Sequence, residues 1–141
     1  MRRTLALLAA AAAVCGAAAG CGGDNDRDEA RAAVQRYLAA LSRGDAGGAC
    51  AQFTDESREA LAEFARDAMK MKGGTCQTAL GRLLKSPQGA GLKRLGHAKV
   101  TVGEVHGGKA EARIAGVSGK TDVVKAGGGW RIESRPTGET D

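Results

Sequence analysis

Apolar and polar residues alternate along this chain with two different periods, and the change of period divides it in two. From Asp26 onward, Ala30, Ala33, Val34, Tyr37, Leu38 and Leu41 recur at helical spacing and form one apolar stripe. Asp26 followed by Glu29 has the spacing of a capping box at its start, and Gly44 ends it. Asp45 is placed to cap a short second helix, Ala46 to Phe53. Thr54 is placed to cap a third, with Leu61, Phe64, Ala65, Ala68 and Met69 as its stripe and Gly73-Gly74 as its end. Thr75 opens a fourth, with Cys76, Ala79, Leu80, Leu83 and Leu84 on the buried side and Ser86-Pro87 as the stop.

After Gly89 the period becomes two. Within Ala98 to His106, Val100 and Val102 point one way while Lys99 and Thr101 point the other. Gly107-Gly108 marks a tight hairpin. Lys109 to Ala115 then alternates, with Ala110, Ala112 and Ile114 inward and Glu111 and Arg113 outward. Ser118-Gly119 turns into Lys120 to Lys125, and Gly127-Gly128-Gly129 turns into Trp130 to Ser134. Helices first and an antiparallel meander second predict an α+β domain with helices packed on one face of a sheet.

The ends of the chain read differently. Met1-Arg2-Arg3 precedes an apolar run from Thr4 to Val14, then small residues up to Ala18-Ala19-Gly20-Cys21. Cations, an apolar stretch and small residues in that order are a secretory signal, and this stretch is shorter than the roughly 20 residues of a membrane span. The residues before Cys21 resemble a bacterial lipobox, with Ala18 where leucine is usual. Cys15 competes poorly because Val14 is bulky where a small residue is needed. The alternative is ordinary secretion with a free Cys21. Residues 1–20 are therefore read as a lipoprotein signal peptide, 21–27 as a polar tether, 28–134 as the domain and 135–141 as a frayed tail. Acylation of Cys21 would make the membrane its partner and place the chain on the outer face of the cytoplasmic membrane or in the cell envelope.

Cleavage leaves 121 of 141 residues, enough for one domain, and loss of Arg2 and Arg3 lowers the formal charge from +5 to +3. That excess is spread along the chain without a run of consecutive cations. With one Trp, one Tyr and two Phe there is no aromatic platform for bases, so nucleic acid is not an expected partner. Lys70, Lys72, Lys85, Lys93 and Lys99 are candidates to meet anionic envelope lipid or polymer, or simply form a solvated surface.

Once Cys15 leaves with the signal and Cys21 takes lipid, Cys50 and Cys76 are the remaining cysteines. In an oxidising compartment a disulfide between them is expected. The competing arrangement, a metal site with His97 and His106, lacks close ligand spacing. No phosphate loop is present, the paired and tripled glycines falling at turns without a following Lys-Ser or Lys-Thr, and no cofactor is expected.

Val34 to Cys50, VQRYLAALSRGDAGGAC, resembles the first two helices of the nuclear transport factor 2-like superfamily, the SnoaL-like cone fold. The chain is similar in particular to small lipoproteins of high-GC actinobacteria. Its features are a helix ending in Gly-Asp, a cysteine five residues later, a second cysteine opening a later helix, and a closing strand GGWRI, Gly128 to Ile132. The resemblance implies a curved sheet around a long helix, enclosing a conical cavity. Its wall would include Tyr37, Val100, Val102, Ala110, Ala112, Ile114, Trp130 and Ile132. Those positions suit a pocket for a small hydrophobic ligand, or a packed core.

Enzymes of this fold place an acid or base in the cone, and Glu104 and His106 are the weak candidates in phase with the inner face of the first strand. Otherwise they flank a turn in solvent. Asp45 reads as a cap and Tyr37 as core with a polar tip. The expected function is a non-catalytic binding or accessory module of the envelope. The alternatives are an isomerase, dehydratase or cyclase of SnoaL-like type, and a structural or protein-interaction lipoprotein with a filled cone. Polar outward positions at Lys99, Thr101, Glu111 and Arg113 point to a monomer.

Overall fold

The computed structural model describes residues 23–134. The stretch expected to be a signal peptide, residues 1–20, together with Cys21 and residues 135–141, lies outside them.

Helix α1, Gly23–Ser42, carries Ala30, Ala33, Val34, Leu38, Ala40 and Leu41 on its buried side. This is the expected stripe, and burying Leu38 and Leu41 contributes about 1.5–3 kcal/mol each. The helix begins at Gly23, so most of the expected tether, 21–27, is instead its first turns. Asp24 and Asp26 sit where the helix dipole favours carboxylates. Arg27 pairs with Asp24 and Arg31 with Asp28, both one turn apart. The Asp26–Glu29 capping box does not form, because Asp26 is already inside the helix.

Helix α2 is Ala46–Cys50, with Asp45 accepting from the Gly48 amide as expected. It ends before Phe53, which forms a parallel bridge to Ile132 in the sheet. Helix α3, Asp55–Asp67, is capped by Thr54, and helix α4, Cys76–Lys85, by a Thr75–Thr78 capping box. The α3 stripe is displaced from the expected one: Ala62 and Ala65 are buried, whereas Phe64 is 52% exposed. On α4, Leu80 and Leu84 are buried and Leu83 is not. A helix half-covered by neighbours buries a narrower arc than its apolar residues span.

A fifth helix, α5 (Gly89–Arg94), runs into a 3-10 turn, Leu95–His97, so the period of two expected after Gly89 starts only at the first strand, from Val100. Gly89 makes this possible. It is buried, and a Cβ there would lie 2.2 Å from the Leu84 carbonyl oxygen, so only glycine lets the chain reverse so closely over α4.

Four strands complete the fold: β1 (Val100–Val102), β2 (Lys109–Ile114), β3 (Thr121–Ala126) and β4 (Gly129–Glu133). They form one antiparallel sheet in the order β1-β2-β3-β4. Val100 pairs with Ile114, Ala110 with Val123, and Val123 with Ile132, which puts these side chains on the inner face. Gly107 and Gly108 both have positive φ, as a two-residue hairpin of primed type requires. The domain is thus α+β, with α1 laid across the inner face of the meander.

Candidate functional site

The residues expected to line a cone lie mostly in the core. Val100, Ala110, Ala112, Ile114, Trp130 and Ile132 are buried in one continuous cluster with Val34, Leu38 and Leu41 of α1. Tyr37 and Val102 are partly buried and pack against it. Trp130, the single tryptophan, is among the most completely enclosed large side chains. Side chains of the long helix therefore occupy the space in front of the inner sheet face. Tyr37 meets Phe53 edge to face at 5.2 Å, and burial pushes its hydroxyl above its ordinary pKa.

Glu104 and His106 lie outside this core. β1 ends at Val102, short of the expected His106, and the Gly103 amide donates to the Glu111 carbonyl as the strand runs out. The two side chains are 80% and 79% exposed, joined to each other at 3.1 Å. Neither is enclosed by apolar side chains, and the inner-face position expected for them is not adopted. What they rim is an open depression of about 670 Å³ on the outer side of the sheet. There Glu111 stands opposite Asp122, and Asp122 opposite Glu133, a row of carboxylates across three strands. Lys120 bridges to Glu111 and relieves part of their mutual repulsion.

The structure joins Cys50 to Cys76 in a disulfide. That removes both thiols from the competing metal arrangement. Among the described residues no group of three His, Cys, Asp or Glu is placed to hold a metal ion. His97 sits exposed in the 3-10 turn and His106 at the first hairpin. No described helix is long and apolar enough to cross a membrane.

One polar arrangement was not foreseeable. Asp26, in the first turn of α1, accepts from the Lys125 ammonium at 2.9 Å and, at a long 3.4 Å, from the Trp130 indole NH. The Lys125 contact holds the Asp26 carboxyl below its ordinary pKa, and the same contact raises that of Lys125. Arg27 adds a bond to the Gly103 carbonyl. The start of α1 is thereby pinned to both hairpins at one end of the sheet. Nothing local in the sequence signals partners 99 and 104 residues apart.

No known protein family matches the chain, and neither a curated protein nor a solved structure does.

Proposed function

We propose that this chain is an extracytoplasmic bacterial lipoprotein, acylated at Cys21, whose domain is a non-catalytic binding or accessory module of the cell envelope. The observation that carries the reading is the Cys50–Cys76 disulfide, taken together with a lipobox-like Ala19-Gly20-Cys21 in the sequence. A chain with cysteines to spare for one bridge and one lipid suits an oxidising compartment. The long helix followed by a four-stranded meander is compatible with a cone of the nuclear transport factor 2-like type. Close packing of Trp130, Ala112 and Ile132 against α1 favours the filled form of such a cone, so that binding uses the outer surface. The exposure of Glu104 and His106 weighs against an acid–base enzyme. The polar outer sheet face favours a monomer.

Expression in a lipoprotein-processing host with an alkyne-bearing fatty acid tests the address. Wild type incorporates label and the Cys21 peptide gains the mass of a lipid. Cys21→Ala takes up none. Labelling of the variant, or an unlipidated wild-type Cys21, refutes the tether.

A further inference from the structure

The excess of cations, which looks evenly spread when read residue by residue, is segregated in a particular way. Residues 68–103 contain seven Lys and Arg and not one Asp or Glu. Folding places Arg82 and Lys85 of this block in the lining of one groove and the stem of Lys93 at its edge. The groove, about 700 Å³ and open, runs over the seam between α2 and α4 and is lined by Gly44 to Gly47, Met71, Thr75, Gln77, Thr78, Arg82 and Lys85. Lys70 and Lys72 flank Met71 in the chain, and Arg82 reaches back to the Met69 carbonyl. The stem of Lys93 passes beside Gly44, within 3.9 Å of where a Cβ would stand. Arg43, exposed, precedes Gly44.

The one carboxylate lining the groove is Asp45, already occupied in capping α2. None of Arg43, Lys70, Lys72, Arg82, Lys85 and Lys93 forms an ion pair among the described residues. Cations without a carboxylate partner around a groove that also presents the Gln77 amide produce a concentrated positive potential. Lysine ammoniums on flexible stems read charge density rather than a fixed planar group.

We propose that this groove is the docking surface for a linear polyanion of the cell envelope. The placement rests on the lipoprotein reading; the charge argument does not. With α1 standing away from the membrane, this partner is separated from the anchoring bilayer. Gly23 follows Cys21 by two residues, a reach of at most about 7 Å. The groove begins at Gly44, beyond the far end of the 20-residue helix α1, about 30 Å from Gly23. With α1 in that orientation the distance is several Debye lengths at physiological salt, each about 8 Å. The Cys50–Cys76 bridge ties the two helices that form the groove and keeps its floor in register.

The test uses the full chain in detergent micelles with polyphosphate as the probe, affinity being read by anisotropy. If four cations engage, raising salt fourfold weakens binding roughly fiftyfold. Lys85→Glu with Lys93→Glu should lose at least about tenfold in affinity and show a shallower salt slope. Arg58→Glu with Lys109→Glu, the same charge change elsewhere, should lose less than about threefold. Equal losses in both pairs, or no salt-dependent binding by wild type, would overturn the proposal. In a second arm the acylated chain is reconstituted in phosphatidylglycerol or phosphatidylcholine vesicles at physiological salt. Polyphosphate affinity should agree within about threefold, the groove standing beyond the screened surface field. Loss on phosphatidylglycerol alone would assign the surface to the bilayer and overturn the polymer as partner. The mass of the Cys21 peptide reads acylation separately, so the address and the groove can fail independently.

Discussion

Removing the Cys50–Cys76 bridge is the most direct test of how the helical half is held together. The two cysteines are 26 residues apart, both buried, one at the end of α2 and the other at the start of α4. Between them lie the whole of α3 and two loops, which the bridge confines in the unfolded chain as well as the folded one. In the chain-entropy account a loop of that length is worth about 3.5 kcal/mol. Cys50→Ala with Cys76→Ala avoids leaving an unpaired polar group in the core and so isolates this contribution, apart from two lost sulfur contacts. For a domain of this size about 3.5 kcal/mol corresponds to a fall in Tm of about 15 °C. Urea unfolding of the full chain should show the same loss of stability. The m-value should rise as well, because an uncrosslinked denatured chain exposes more surface. Wild type with a reductant should reproduce the double variant. A loss below about 1 kcal/mol, with reductant making no difference, would show that α2 and α4 are held by packing alone and refute the reasoning.

Three other perturbations probe separate features. Gly89→Ala drives a Cβ into the Leu84 carbonyl, which cannot move without unwinding α4, and should cost about 1–3 kcal/mol or more in denaturant titration; a neutral result would mean that the α4–α5 reversal is wrong. Asp26→Asn should loosen the start of α1, and emission from Trp130, the single tryptophan, reports it. Because the folded carboxyl lies below the ordinary 3.8, the pair stabilises the fold above that value and fails as pH falls through the lowered one. Because the folded Lys125 lies above 10.5, the same contact holds below that value and is lost as pH rises through the raised one. An acid titration of emission identical in wild type and variant would remove Asp26 from this role. Glu104→Gln and His106→Gln should each leave stability within about 0.5 kcal/mol, as exposed surface changes do, and a larger loss would mean that the pair is structural.

Much of this architecture is legible from local pattern alone. The α1 stripe, the capping residues Asp45, Thr54 and Thr75, the Gly107-Gly108 turn and the inward set Ala110, Ala112 and Ile114 all follow from interactions within a few residues. The Cys50–Cys76 pairing is legible too on the reading that Cys15 leaves with a signal and Cys21 takes lipid, which leaves one partner for each remaining thiol. Where local pattern misleads, a distant neighbour decides. Phe64 and Leu83 sit at helical spacing, yet among the described residues no element covers them, so they are exposed. Residues 89–97 lack a long apolar stripe, yet Gly89 against the back of α4 stabilises a short helix there.

The same division applies to the sites. Charge, cysteines and the lipobox-like motif are properties of the chain and can be read from it. That Glu104 and His106 leave the inner face depends on where β1 stops, and that depends on its pairing with β2. That Asp26 meets Lys125, and that Lys93 comes beside Gly44 near Lys85, depends on helices and strands closing over long separations. Periodicity specifies which face of an element is apolar; packing alone specifies which residues of different elements share a surface.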